Sequence, residues 1–330
     1  MLLEALPHAG VAVDLKGRIV HVNTQADAMF GYAPAELIGQ LVEVLMPERF
    51  RERHVQHRTD YVVRPNKRMM GQGLELWGRR KNGSEFSVDI SLGPIEVDGR
   101  SLVLSVIRDV TEQKQAERRL TAQHAVTRVL VESASFDVAA PKIIQQVSQA
   151  LGWDVGGIWL VDEKAGELRL SGFWNHPALV VSEFEGICRR ITFKSGVGLP
   201  GRVWASRQPA WIPNVQEDVN FPRAPYAVKD GLHGAFGFPI MLQERVFGVM
   251  EFFSREIREP DHALLQMFAA IGSQIGLFTQ RKLAEQALQC EKSELAQMNG
   301  IMMDREERIL GLKEEINALL KEMGRPRRYS

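Results

Sequence analysis

Cysteine is nearly missing: Cys188 and Cys290 are the only two in 330 residues. That excludes a disulfide framework and suits a reducing compartment. An excess of charge of one sign is missing too. Forty-one Lys and Arg balance forty-one Asp and Glu, so no general field for nucleic acid or for an anionic membrane is expected. The short basic cluster at 325–328 reads as a solvated tail. Long apolar runs are also lacking. The most apolar long segment, 264–278, is interrupted by Gln266, Ser273 and Gln274 and is too short to span a bilayer. With no basic-then-apolar signal at the start, the expectation is a cytoplasmic protein with neither membrane nor nucleic-acid partners.

Catalytic signatures are equally scarce. A histidine kinase needs a phospho-acceptor histidine followed by Glu or Asp and by Arg-x-Pro, then glycine-rich ATP boxes, and no histidine follows Arg281. A diguanylate cyclase needs Gly-Gly-Asp/Glu-Glu-Phe, and a helix-turn-helix regulator needs a further globular domain. None fits in the remaining helix. The run Gly196-Val197-Gly198-Leu199-Pro200-Gly201 looks like a phosphate loop, but no Lys-Ser/Thr follows it. It reads as a glycine-dependent turn into a helix. His176 and His233 have no second His or Cys at metal-ligand spacing. The chain is therefore expected not to be an enzyme.

What is present starts with an ordinary globular balance, 45% apolar and 25% charged, in a length that accommodates two domains and a long helix. That helix, residues 283–323, carries apolar residues in steps of three and four at Leu288, Leu295, Met298, Met302, Ile309, Leu312, Ile316, Leu319 and Met323, with Glu291 and Arg305 at the two missing places. This is a heptad seam. Burying one Leu or Ile contributes roughly 1.5–3 kcal/mol and an exposed charge pair only about 0.3–0.5, so the seam decides association. Ile309 and Ile316 at a with Leu312 and Leu319 at d favour two parallel strands. Against this, Arg308 at g would meet Lys313 at e of a parallel partner, so parallel and antiparallel pairing both stay open. Gly300 and Gly311 each cost roughly 1 kcal/mol of helix stability, making a moderate spine that can change state.

From Leu6 the chain alternates strands and tight turns: 11–14, a Lys16-Gly17 turn, and 19–23. A short helical region follows Thr24, and FGYAPAELIGQ starts a helix after Pro34 and stops it at Gly39. A charged helix covers 51–61. Strands at 74–79, 86–92 and 102–108 follow, with hairpin turns at Lys81-Asn82-Gly83 and Asp98-Gly99. The alternation Phe86, Val88, Ile90, Leu92 places one face of a strand in a core. These segments, with DLKGRIVHVN at the start and RDVTEQKQAERRL at the end, resemble a PAS domain from end to end. The resemblance implies a five-stranded antiparallel sheet with helices on one side around a small pocket, and an exit helix that passes signals onward. Asp109, Thr111 and Glu112 match the family's DxTE junction, and Thr111 suits a helix N-cap.

A helix without Pro or Gly, 111–133, is a rigid coupler to a second helix at 137–151. Strands at 156–161, 168–174, 210–213, 234–241 and 246–253 follow, with a polar loop after 174, the segment 196–207, and a long helix from about Glu259. GVGLPGRVWASRQPAWIPNV, GLHGAFGFPI and FGVMEFFSREIREPDHALLQMFAAIGSQIG resemble a GAF domain. That family implies a six-stranded sheet with helices on both faces and a ligand pocket that some members fill and many leave unused. The expected fold class is α+β. Its parts are a PAS domain at 1–114, a helical linker at 115–135, a GAF domain at 122–281, a coiled-coil helix at 283–323 and a tail at 324–330.

Within RERHVQHR, His54 is the sharpest candidate. From His54 to Gly83 the chain is similar, without a gap, to the haem PAS domain of FixL-type oxygen-sensor kinases, and His54 falls on their iron-binding histidine. A neutral imidazole facing an apolar pocket suits a proximal ligand. The family's oxygen-responsive arginine is Leu74 here, and Gln72 replaces an apolar neighbour. The resemblance thus implies haem b on His54, with Gln72 as a donor to a bound diatomic and Leu74 leaving the distal side less polar. FAD without a covalent bond, with Trp77 as a wall, and an empty pocket are the alternatives. No cysteine precedes Cys188 to form a flavin adduct. In the GAF region, Trp153, Trp159, Trp174, Trp204, Trp211, Phe173, Phe236 and Phe238 either fill a core or line a cavity. Cys188 is followed by Arg189 and not by the histidine of bilin-binding members. Of the cyclic-nucleotide signature, only Asp261 survives.

Taken together, the expectation is a homodimeric sensor for a ligand, gas or redox signal. It would act through helical linkers on a separate histidine kinase or response regulator of a two-component system. The input half of a sensor histidine kinase and a ligand-free scaffold remain as alternatives.

Overall fold

The computed structural model describes residues 2–63, 68–70, 75–97 and 99–329. It divides into two units, Met1–Arg118 and Arg119–Ser330.

In the first unit a single-turn helix (Leu2–Ala5) precedes β1 (Ala9–Val13), β2 (Ile19–Val22), α1 (Thr24–Phe30) and α2 (Pro34–Leu37). After a second single turn (Val42–Leu45) come α3 (Glu48–Val63), β3 (Arg68–Met69), β4 (Leu76–Arg79), β5 (Glu85–Val97) and β6 (Arg100–Asp109). The β1–β2 turn forms because the Asp14 carboxylate accepts from the backbone N–H groups of Lys16 and Arg18, at 2.9 and 2.8 Å, while Gly17 takes φ +82°. Asn23 caps α1 through Ala26 N–H and at the same oxygen accepts from Gly10 N–H, so one buried amide joins the helix start to β1. The antiparallel sheet runs β2-β1-β6-β5, and β3 and β4 both pair with β5. Among the described residues six strands therefore stand where five were expected, because two short strands share one edge of β5. Phe86 and Val88 of β5 are buried with Val11, Ile19, Phe30, Leu37 and Ile107, and Ile90 and Leu92 on the same face are half-buried.

The second unit receives α4 (Thr111–Glu132), which crosses the division. It continues with α5 (Phe136–Leu151), β7 (Val155–Asp162), β8 (Glu167–Asn175), α6 (Ser182–Cys188), α7 (Gly198–Ser206), β9 (Ala210–Ile212), α8 (Ala224–Lys229), β10 (Gly234–Leu242), β11 (Arg245–Ser254) and α9 (His262–Glu322). The antiparallel sheet runs β8-β7-β11-β10-β9. Beyond β8 the expected sixth strand shrinks to one bridge between Leu168 and Phe193. On one face α5 and α9 bury Ile143, Ile144, Phe268 and Ile271 against Phe236, Phe238 and Phe252. On the other, α6, α7 and α8 bury Phe184, Leu199, Val203 and Ala227 against Trp159 and Phe253.

The segment expected to be a polar loop contains α6, whose Phe184 and Cys188 are buried. Seven residues are too few to show a helical period. Trp153 and Trp159 are core residues, while Trp174, Trp204, Trp211 and Phe173 are partly buried around them. The turn at 196–201 depends on glycine as expected: Gly196 and Gly198 lie at φ +85° and +64°.

Candidate functional site

In the first unit a cavity of about 80 Å³ lies between α3 and the sheet. Its walls include Val13, Phe30, Leu45, Ile90, Leu92 and Ile107, and its polar edge is His54, His57, Arg58 and Tyr61 of α3. Helix α3 is held by polar more than by apolar contacts: Arg49 pairs with Glu85 of β5, Glu48 with Arg79 of β4, and His54 and Arg58 with Glu43. Among its residues with described side chains only Tyr61 is buried, and the rest are half-buried or exposed, so moving it exposes little apolar area.

Glu43 lies in the otherwise apolar run Leu41-Val42-Glu43-Val44-Leu45 and is 5% exposed. Its Oε1 accepts from His54 Nδ1 at 2.9 Å and from Arg58 Nε at 3.1 Å. Burial works against the charge on Glu43, but hydrogen bonds from His54 and from backbone, with the charge of Arg58, outweigh it and hold the carboxyl below its ordinary value. An ionised Glu43 accepts only, so Nδ1 of His54 carries the proton and the lone pair of a neutral ring falls on Nε2. A carboxylate on the far ring nitrogen is the orientation in which histidines usually hold a metal. The donor set and apolar lining thus fit a haem ligated by His54. The volume does not hold a macrocycle until α3 moves outward, as pockets for ligands of that size run to about 300–1,000 Å³. No group of three His, Cys, Asp or Glu gathers at metal-binding distance among the described residues.

Trp77 lines the cavity. Gln72 and Leu74 lie outside the described residues. Sequence reasoning missed Glu43 and Arg58. A lone acid between apolar residues was the available signal, but nothing in the sequence says which base it meets.

At the β6–α4 junction, Asp109 Oδ1 accepts from Thr111 N–H at 3.0 Å and Asp109 Oδ2 from Arg80 Nη2 at 2.8 Å. Thr111 is the first helical residue and not the N-cap expected. Its hydroxyl instead accepts from Ser87 N–H of β5 at 3.1 Å, and Ser87 C=O accepts from Val110 N–H at 3.0 Å. Glu112 is exposed in the first turn.

Beyond the second sheet, α9 carries the seam. Leu288, Leu295, Met298, Met302, Ile309, Leu312, Ile316, Leu319 and Met323 are 38–65% exposed. Ile301, Met303 and Leu310, off the seam, are exposed as well. No helix among the described residues is long and apolar enough to cross a membrane.

Residues 8–112 match the family model described as PAS domain, and residues 133–280 the model described as GAF domain. The chain is similar to the sensor protein FixL of Bradyrhizobium diazoefficiens, 33% identical over 119 residues, which are 36% of this chain and 24% of FixL. It is also similar to the oxygen sensor protein DosP of Escherichia coli, 25% identical over 121 residues, 36% of this chain and 15% of DosP. These matches span a quarter or less of either relative's length. Among solved structures, the GAF domain of a Coxiella burnetii phosphoenolpyruvate-protein phosphotransferase is 17% identical, covering 52% of this chain and 98% of that one with a TM-score of 0.45.

Proposed function

From a chain that carries a PAS domain followed by a GAF domain, we propose a homodimeric cytoplasmic sensor without catalytic output, whose PAS cavity takes haem on His54. The observation that supports this most is the ring of His54 on the cavity wall with Nδ1 held by Glu43. When bound, haem would supply an iron that binds a diatomic gas or changes oxidation state. The residues of the chain do the rest. Glu43 orients the imidazole and keeps its Nδ1 proton in place, the apolar walls exclude water, and α3 yields to admit the ligand.

Relay follows from what shares the cavity. β5 gives Ile90 and Leu92 and β6 gives Ser105 and Ile107 to its wall, and the same two strands hold the start of α4 through Ser87, Asp109 and Thr111. A shift of these strands loosens or tightens that grip, and α4 carries the change toward the GAF domain and the seam. The seam pairs with a second copy, and a histidine kinase or response regulator is the recipient.

The test is the visible spectrum of protein purified from cells supplied with iron and a haem precursor, beside His54→Ala. A sharp Soret band that shifts on reduction and on adding carbon monoxide, and is lost in His54→Ala, is expected. A flavin spectrum moves the proposal to redox sensing by FAD. A featureless spectrum removes the haem reading and leaves a colourless ligand or the ligand-free scaffold.

A further inference from the structure

The GAF domain buries an ion pair on the α6–α8 face of its sheet, with Nε of the arginine its one unpartnered guanidinium nitrogen among the described contacts. Arg223 and Glu251 have side chains 0% and 1% exposed. Glu251, on β11, accepts from both ends of the guanidinium, Nη1 to Oε1 and Nη2 to Oε2 at 2.6 Å each, and from Trp159 Nε1 at 2.7 Å. Nη1 also reaches Cys188 Sγ at 3.1 Å. Five rings surround the guanidinium carbon: Phe184 and Phe193 at 4.9 Å, Phe221 at 5.0, Phe253 at 5.3 and Trp159 at 5.4 Å from their centroids. Gly157 makes room, since a Cβ there would lie 3.3 Å from Glu251 Oε1.

A carboxylate in the floor of an aromatic box is how proteins recognise a cationic ligand, and the forked geometry selects guanidinium over ammonium. Here the cation comes from the chain itself. Arg223 sits between Pro222 and Ala224-Pro225, at the start of α8. The segment leading to it is tied down by Asn220, which accepts from Gly198 N–H at 3.1 Å and donates to Gly196 C=O at 2.9 Å. Withdrawing Arg223 would strand a buried carboxylate, so the site is not vacated for a passing metabolite. Cys188 is sealed in with it, its thiol pushed up to about 11 by burial, which leaves little thiolate for oxidation.

We propose that this face of the GAF domain is a guanidinium site permanently filled by Arg223, and that the domain takes no diffusible ligand there. That face is then a structural centre and not a second sensory pocket. The inference stands independently of haem.

Chemical rescue tests it. Arg223→Ala removes the equivalent of N-ethylguanidinium. Its melting temperature should fall by about 10 °C, from the loss of one partner of a buried pair. N-ethylguanidinium should restore it saturably, while the neutral isostere N-ethylurea and propylammonium should not. Equal rescue by all three, or by none, overturns the proposal. So does saturable stabilisation of the wild type by N-ethylguanidinium, which would reveal an open site. If Arg223→Ala does not fold, Arg223→Lys decides: it keeps the charge but not the fork, and should melt several degrees lower, whereas wild-type stability sinks the assignment.

Discussion

At the scale of single residues, the chemistry that matters lies in side chains whose partners are distant in sequence. Asp109 is the clearest. Burial pushes its carboxyl up, but hydrogen bonds from Thr111 and Arg80 and the Arg80 charge outweigh it and hold it below the usual carboxylate range. Because the folded value is the lower one, the stabilisation is complete above the unfolded value of about 4 and fades as pH falls through the folded value. Asp109→Asn keeps an acceptor for Thr111 but loses the charge facing Arg80. It should cost about 1 kcal/mol at pH 7, with the difference from wild type shrinking toward zero below about pH 4. Urea unfolding at pH 7 and pH 3 reads this, and a pH-independent difference would mean the carboxylate charge is irrelevant. His54 and Asp109 were legible in the sequence because each stands in a motif. Glu43, Arg58 and the Arg223–Glu251 pair were not, since only the fold selects which acid meets which base.

At the scale of elements, α9 reads differently along its length. Near its start Gly272 and Gly276 face β10 so closely that an added Cβ would overlap the carbonyl oxygens of Pro239 and Met241. Backbone cannot step aside as a side chain does. Gly276→Ala should therefore destabilise the second unit by about 1–3 kcal/mol, despite the gain in helix propensity. Farther on, a Cβ at Gly311 meets nothing within 4 Å, so Gly311→Ala should stabilise the helix by up to about 1 kcal/mol. Opposite shifts of melting temperature for one substitution in one helix are expected, and shifts of the same sign would misplace one of the two glycines. The stretch 264–278 and the seam were both visible as apolar patterns. Their continuity as one helix of 61 residues was not, because the period drifts from a face packed on a sheet to a heptad stripe. Likewise α6 and α8, of seven and six residues, are held by the aromatic core and not by any pattern of their own.

For the whole molecule, the question is what covers the seam. Leu312 and Leu319 are 51% and 59% exposed and touch no core of their own chain, so replacing both with Asp leaves each folded unit intact. In a pair of helices both copies lose both residues. Four apolar contacts at roughly 1.5–3 kcal/mol each would go, and four carboxylates would face one another across a stripe meant to be dry. Association pays about 4–15 kcal/mol in lost freedom before any surplus remains, and the glycines at 300 and 311 leave this spine little to spare. For the dimer proposed above, the double substitution should therefore shift sedimentation velocity from dimer to monomer, with helical circular dichroism falling as the free stripe frays. Glu314→Gln, at the heptad position farthest from the seam, should change neither. A double variant that still sediments as a dimer would place the interface elsewhere, and the proposed relay would then not run through this seam.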